Sequence, residues 1–152
     1  MLSRIVELLQ PLTVRADQLG SMALFGGFRW KELEQFAAHL DEVHAPRGTR
    51  LTVQGRREPR LWLLTEGEAL VSADARPLRV SRPGDAAGLV SLLYGMRSPE
   101  TTIALSPIRA LSAGPAQFRE LVSAPRLRLR LTGAAREQLQ GPKLADGYAR
   151  TR

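Results

Sequence analysis

The chain contains no cysteine, so disulfide bridges, thiolate nucleophiles and cysteine-ligated metal sites are excluded. It has two histidines, His39 and His44, and no matching group of Asp or Glu, so a metal site is not expected. No window approaches 18 uncharged apolar residues, so we predict no membrane span. The apolar start, "MLSRIVELLQPLTV", lacks the uninterrupted core and the cleavage site of a signal peptide. We therefore expect a cytoplasmic protein that does not associate with membranes.

Positive charge is abundant but comes almost entirely from arginine. The 22 basic and 15 acidic residues give a net charge of +7, and Lys31 and Lys143 are the only lysines. The arginines are scattered, which favours the composition bias of a GC-rich genome over a nucleic-acid footprint. Attraction to an acidic partner remains open. The densest cluster, Arg126, Arg128 and Arg130, is either a solvated helix face or a candidate interaction surface for such a partner.

Hydrophobic spacing predicts helices at both ends of the chain. Residues 2–10 place Leu2, Ile5, Val6 and Leu9 on one face of a short helix that Pro11 would end. A second helix is predicted over "RWKELEQFAAHLDEV", residues 29–43, from its amphipathic pattern.

The middle of the chain has a different pattern. Short runs rich in Val, Leu, Ile and Thr, such as "RLWLLTEGEALVSA" and "TTIALS", recur about every ten residues between turn residues. This spacing predicts an antiparallel jelly roll. Glu66-Gly67-Glu68 is interpreted as a hairpin turn, Trp62 as a core residue, and 89–94 as one short helix.

From Gly114 onwards the pattern is helical again. "GPAQFRELV" predicts one helix. "RLRLRL" alternates like a strand, but a longer stripe favours a second helix, formed by Leu127, Leu131, Ala134, Ala135 and Leu139. We predict an N-terminal helical segment over 1–24, one main domain over 25–140 and a flexible tail over 141–152. The fold class is a mainly β, α+β jelly roll flanked by N-terminal and C-terminal helices.

The most informative stretch is "RPGDAAGLVSLLYGMRSPETT", residues 82–102, which we call the cassette. Gly84 permits a tight turn, and Gly88 opens the predicted helix without a side chain that would keep a ligand from the backbone. Unpaired N–H groups at a helix start can bind an anion. On the glycines alone, a purely structural turn is the better interpretation.

The order and spacing of these pieces resemble the cyclic nucleotide-binding domains of catabolite activators and of kinase regulatory subunits. "RLWLLTEGEALVS" is similar to the family's "lyhIisGeveV" strand. "LRVSRPGDAAGLVSLLYG" is similar to its phosphate-binding segment, "l..lgpGd.fGElaLl.g". The resemblance covers residues 25–139.

The resemblance implies two ligand-binding side chains that this sequence does not place as the family does. An acid that holds the ribose should follow the second glycine, where Leu89 stands. An arginine that pairs with the phosphate should stand at Ser98 or Pro99, and Arg97 is the nearest base. Losing two charge-assisted hydrogen bonds, at roughly 1.5–3 kcal/mol each, lowers affinity by about two to four decades.

The candidate ligand-binding residues are Gly84, Gly88, Leu89, Val90, Arg97, Ser98, Thr101 and Thr102. No catalytic residue is predicted, because neither Asp85 nor the Glu66/Glu68 pair has a partner for acid–base chemistry. Tyr94 is assigned to the core in preference to stacking on a base.

These features favour a stand-alone, degenerate cyclic nucleotide-binding-like domain. It would act as a non-catalytic regulatory or protein-interaction module in a bacterial cytoplasm, without a cofactor. One alternative is a genuine receptor for cAMP, cGMP or another anionic small ligand, using Arg97 and the start of the cassette helix. Another is an electrostatic nucleic-acid binder, driven by the net charge of +7. A sequence-specific transcription factor is disfavoured, because only 13 residues follow Leu139, too few for the winged helix-turn-helix that catabolite activators carry. The expected partner is a protein, either one with an acidic surface or a second copy bound through the C-terminal helix.

Overall fold

A computed structural model describes residues 6–8, 11–57 and 59–140. The β-strands are β1 (Val6–Leu8), β2 (Asp41–Ala45), β3 (Arg50–Thr52), β4 (Leu61–Glu66), β5 (Ala69–Ala73), β6 (Arg76–Ser81), β7 (Ala86–Ala87), β8 (Thr101–Ala104) and β9 (Ile108–Ala113). The α-helices are α1 (Leu12–Gly20), α2 (Trp30–Ala37), α3 (Leu89–Tyr94), α4 (Pro115–Val122) and α5 (Pro125–Gln140), and one 3-10 turn covers Ala23–Phe25.

The strands form two antiparallel sheets, in the orders β1-β2-β9-β4-β7 and β3-β8-β5-β6. The predicted jelly roll with flanking helices is therefore confirmed. The prediction of helix for "RLRLRL" is also confirmed, because α5 buries Leu127, Leu131 and Ala135 completely. None of the helices in the described part of the chain is long and apolar enough to cross a membrane.

The five-stranded sheet lies between two apolar cores. On β4, Leu61 and Leu63 join the larger core, which the helices cover. The alternate residues Trp62 and Leu64 join the second core, inside the roll. Successive side chains on a strand point to opposite faces, so "LWLL" is apolar without alternation because both of its faces are covered. The placement of Trp62 in the core is confirmed.

Three predictions of local structure are wrong. Val6–Leu8 is a strand paired with β2 and not part of a helix. The second helix ends at Ala37, and residues 41–45 form a strand along β9. Residues 66–68 do not close a hairpin, because β4 pairs with β7 and β9 whereas β5 pairs with β6 and β8.

Gly67 explains the third error. It lies where the chain crosses from one sheet to the other, with φ of 92°. A Cβ at this position would collide with the carbonyl oxygen of Pro107. The glycine is required by this close approach, which a sequence pattern does not distinguish from a hairpin turn. The predicted flexible tail, 141–152, lies outside the described residues.

Candidate functional site: a glycine-framed cavity beside the cassette helix

Gly84 and Gly88 shape the cassette in different ways. Gly84 has φ of 98° in the turn before β7, and its N–H donates to the carbonyl of Leu64 at 2.8 Å. Asp85 closes the same turn by accepting the backbone N–H of Arg82 at 2.9 Å. Gly88 has φ of 92° and precedes α3, and a Cβ there would collide with the carbonyl oxygen of Arg60. One glycine therefore serves a turn and the other serves close packing.

Gly88 borders a small cavity between α3 and the strand β8. The cavity holds only about 10 Å³, roughly the space of a single water molecule. Four predicted site residues line it, namely Gly88, Val90, Ser98 and Thr102. The other lining residues are Thr52, Ser91, Pro99, Glu100 and Gln138.

The remaining predicted residues point elsewhere. Leu89 is fully buried in the helical core. Arg97 is exposed and donates to the carbonyl of Gly55 at 2.9 Å. Thr101 accepts the backbone N–H of Gln54 at 2.9 Å, and Gly84 borders larger clefts nearby. The cavity therefore lacks the arginine that the sequence offered for an anion.

Arg97 takes part in a group of hydrogen bonds between the β3–β4 loop and the end of the cassette. Gly55 N–H donates to the carbonyl of Ser98, and Ser98 N–H donates to the carbonyl of Arg56, both at 2.8 Å. With the Arg97 bond, three hydrogen bonds fix the β3–β4 loop to the exit of the cassette. The side chain of Arg97 contributes to this backbone contact from the outer side.

A second arginine lies beside this cavity without lining it. Arg79 on β6 forms two parallel hydrogen bonds with Glu100, Nη1 to Oε2 and Nη2 to Oε1, each at 2.8 Å. Glu100 is 9% exposed, and it immediately precedes β8. The cavity thus has an acidic residue on its wall, already paired with a guanidinium of the same chain.

Hydroxyl groups hold the backbone beside this ion pair. The carbonyl of Glu100 accepts the hydroxyl of Ser98 at 2.6 Å and the hydroxyl of Thr52 at 3.0 Å. Thr52 and Thr102 also lie within hydrogen-bond distance of each other, at 2.9 Å between their hydroxyl oxygens. These contacts fix the position of Glu100, because its own backbone is held from two sides.

The last turn of α5 covers the cavity. Gln138 lines it and donates to the carbonyl of Ala86 at 3.0 Å. Two wider clefts open on either side of Gln138. The first, of about 330 Å³, includes Arg79 and Asp85, and the second, of about 590 Å³, includes Arg76 and Glu100.

The predicted arginine surface on α5 is only partly free. Arg130 donates to the carbonyls of Leu24 and Gly26, at 3.1 and 2.7 Å. Arg126 donates to the carbonyl of Gly27 at 3.1 Å and lies 4.5 Å from the ring centre of Phe28. Arg128 is exposed between them. Two of the three arginines therefore anchor α5 to the loop before α2.

Two other assignments concern the surroundings of the site. Tyr94, assigned to the core, is 43% exposed at the end of α3, so that assignment is wrong. His44 accepts the Nε–H of Arg109 at 2.8 Å. The described residues contain no group of three His, Asp or Glu placed to hold a metal.

Sequence reasoning missed Arg79, Glu100 and Gln138. One signal was available for Glu100, because an acidic residue in "SPETT" is unexpected in a segment interpreted as phosphate-binding. Nothing local indicates Arg79 or Gln138, because Gln138 reaches the cavity from α5 and Arg79 reaches Glu100 from β6.

Solved structures with this fold include proteins that are longer than this chain. The cAMP-binding acyltransferase from Mycobacterium smegmatis is 27% identical, with a TM-score of 0.62, over 84% of this chain and 41% of that one. A cyclic nucleotide-binding domain from Methylobacillus flagellatus is 20% identical, with a TM-score of 0.73, over 97% of this chain and 88% of that one. The regulatory domain of Toxoplasma gondii PKA with cAMP is 17% identical, with a TM-score of 0.74, over 83% of this chain and 50% of that one. The chain spans about two fifths of the acyltransferase.

No curated protein sequence matches the chain significantly. A family model described as "Cyclic nucleotide-binding domain" matches residues 42–124 of the chain. The match covers more than half of the 152 residues and includes all the strands from β3 to β9. The chain belongs to the cyclic nucleotide-binding domain family.

Proposed function

We propose that this chain is a regulatory, non-catalytic module that contacts a protein partner and works without a cyclic nucleotide. The single observation that carries the proposal is the Arg79–Glu100 pair, which places a carboxylate of the chain beside the cavity of the cassette. An anionic ligand would have to compete with this carboxylate for Arg79, and displacing the carboxylate would leave two like charges close together in a poorly solvated site.

Space supports the same conclusion. Pockets for ligands of nucleotide size measure about 300–1,000 Å³, whereas the cavity between Gly88 and Glu100 holds about 10 Å³. To admit a phosphate, the ion pair would have to separate and the Ser98 and Thr52 contacts would have to break. Binding would therefore be weakened by the free energy of that rearrangement.

The recognition groups expected from the family resemblance do not compensate. Leu89 is buried away from the cavity, so no acid follows Gly88 to accept ribose hydroxyls. Arg97 is engaged with Gly55 outside the lining. A nucleotide would thus lose both of its charge-assisted contacts as well as the space it needs.

A regulatory role is consistent with the acyltransferase comparison. That protein is described as both cAMP-binding and an acyltransferase, and this chain matches only 41% of its length. We propose that the present chain acts in the same modular way, through its surface. Arg128, exposed on α5, is the member of the arginine cluster that we assign to an acidic partner. Leu129 beside it is 73% exposed and is the apolar residue that we assign to contact with a second copy.

One observation favours a second function, that of a receptor for a different anion. The two clefts that flank Gln138 are large enough for a small ligand, and Arg79 lines the first of them. In the form predicted from the sequence, Arg97 would hold such a ligand, and Arg97→Ala would abolish thermal stabilisation by that ligand. Arg97 lines neither cleft, so our proposal expects Arg97→Ala to change nothing.

Isothermal titration calorimetry with cAMP and cGMP tests the proposal. We expect no heat of binding from the wild-type chain with either nucleotide. A dissociation constant below about 10 μM, or roughly −7 kcal/mol of binding free energy, would refute a nucleotide-independent module.

A further inference from the structure

We propose that the carboxylate of Glu100 is a built-in ligand of this domain, bound by Arg79 as an external anion would be. This rests on the proposed function and deepens it, because it names what occupies the site. The consequence is that the domain is held in one occupied state that does not depend on the concentration of any small molecule.

The geometry of the pair is that of ligand recognition. Both guanidinium N–H groups meet both carboxylate oxygens in parallel, at 2.8 Å each. This two-pronged arrangement is how arginine binds carboxylates and phosphates with high specificity. The side chains of Arg79 and Glu100 are 25% and 12% exposed, so solvent screens them far less than a surface pair.

The fold brings the two partners together across a strand that separates them. On β5, Val71 lies opposite Arg79 of β6 on one side and opposite Thr102 of β8 on the other. Glu100 precedes Thr102 by two residues, so its side chain reaches Arg79 across β5. The register of three strands therefore determines the contact.

Glu100 is also positioned in advance. Its carbonyl accepts the hydroxyls of Ser98 and Thr52, which fix the backbone from which the carboxylate extends. A free ligand would lose translational and rotational freedom on binding, whereas a tethered and fixed group loses little. An external anion must therefore compete with a partner of very high effective concentration.

The occupied site is coupled to α5. Gln138 borders the cavity together with Glu100, and it is hydrogen-bonded to Ala86 of β7, directly after the cassette turn. When Glu100 stays in place, the wall on which the last turn of α5 rests does not move. The surface that α5 presents would accordingly be constant.

Chemical rescue of Glu100→Ala tests the inference. Truncation frees Arg79 and leaves space for a small carboxylate, so acetate should bind where the side chain was. We expect 100 mM sodium acetate to raise the melting temperature of Glu100→Ala by about 4 °C more than 100 mM sodium chloride, if acetate binds at roughly 10 mM. The wild-type chain should show no difference between the two salts.

The double variant Arg79→Ala/Glu100→Ala is the matched control, and acetate should have no specific effect on it. Equal shifts by acetate and chloride in Glu100→Ala would overturn the inference. An acetate effect that survives in the double variant would also overturn it. So would the absence of an acetate effect because Glu137 or Asp85 pairs with Arg79 in the variant and excludes acetate.

Glu100→Gln keeps the inference falsifiable if Glu100→Ala does not fold. The amide preserves the size but not the charge, so we expect a melting temperature about 5 °C below wild type and no rescue by acetate. A variant as stable as wild type would mean that no anion is bound there. These outcomes are independent of the calorimetry: nucleotide binding by the wild type would refute the proposed function, whereas a failed rescue refutes only the role of Glu100.

Discussion

At the residue scale, the two cassette glycines allow the cost of a left-handed backbone conformation to be measured apart from the cost of a Cβ collision. Gly84 and Gly88 have similar φ angles, 98° and 92°, but only Gly88 lies against another backbone segment. We expect Gly84→Ala to lower the free energy of unfolding by about 1–2 kcal/mol, the cost of the left-handed conformation. Gly88→Ala should cost about 1–3 kcal/mol more, because Arg60 must move. Urea denaturation of both variants measures the difference, and equal losses would contradict the close approach.

The β5–β6 turn offers a stabilising substitution. Asp74 and Ala75 both have positive φ, 52° and 63°, as the central residues of a type I′ turn require. Glycine adopts this conformation without the Cβ clash, so Ala75→Gly should raise the free energy of unfolding by about 1 kcal/mol. Thermal denaturation measures it. Ala73→Gly, in the adjoining strand, is the control and should be destabilising; a loss at both positions would refute the prediction.

At the element scale, α5 has one apolar stripe that contacts the core and one leucine that does not. Leu131 is fully buried and Leu129 is 73% exposed, although they are two residues apart. Leu131→Ala should lower the free energy of unfolding by about 2–5 kcal/mol, and Leu129→Ala should change it by less than about 0.5 kcal/mol. If "RLRLRL" were a strand, both leucines would share a face, and chemical denaturation would give them similar losses.

The arginines of α5 give a second matched pair. Arg130 donates to two carbonyls of the 3-10 turn region and stands over Phe28, whereas Arg128 is exposed. We expect Arg130→Ala to cost about 1–2 kcal/mol of stability, since carbonyls lose charged donors. Arg128→Ala should leave the melting temperature unchanged and, under the proposed function, weaken partner binding. The reverse pattern would assign the interaction surface to Arg130.

Secondary-structure elements with a repeated local sequence pattern could be predicted. Elements that form because they pair with a strand distant in sequence could not. The strands from "TRLTVQG" to "IRALSAG" carry β-branched and leucine-rich runs between turn residues, so their positions follow from the sequence. Residues 41–45 continue a helical spacing from α2, and they become a strand because β9 lies alongside to accept their backbone hydrogen bonds. Tertiary pairing overrode the local preference there.

The candidate site shows the same division. The glycine positions follow from turn chemistry and from the family resemblance, and four predicted residues do line one cavity. The Arg79–Glu100 pair depends on the register of β6, β5 and β8, which no local window contains. Arg97 is close to the predicted phosphate position in sequence, whereas Arg79, the arginine that pairs with Glu100, lies 21 positions before it.

At the scale of the whole molecule, the five-stranded sheet joins the two cores. β4 and β9 each contribute residues to the helical core and to the roll interior, for example Leu63 and Leu64, or Leu111 and Ala110. If β4 and β9 detached from one core, their residues in the other core would become exposed as well. Because both cores depend on the same two strands, the helices and the roll should unfold together.

Single-tryptophan variants test this cooperativity. Trp62 reports on the roll interior and Trp30, which is 46% exposed, reports on α2. In Trp30→Phe and in Trp62→Phe, we expect the fluorescence of the remaining tryptophan to change at the same urea concentration as the far-UV circular dichroism. Coincident transitions are the mark of two-state unfolding. A fluorescence midpoint well below the circular dichroism midpoint in Trp62→Phe would show that α2 detaches first, and the shared strands would then not couple the two cores.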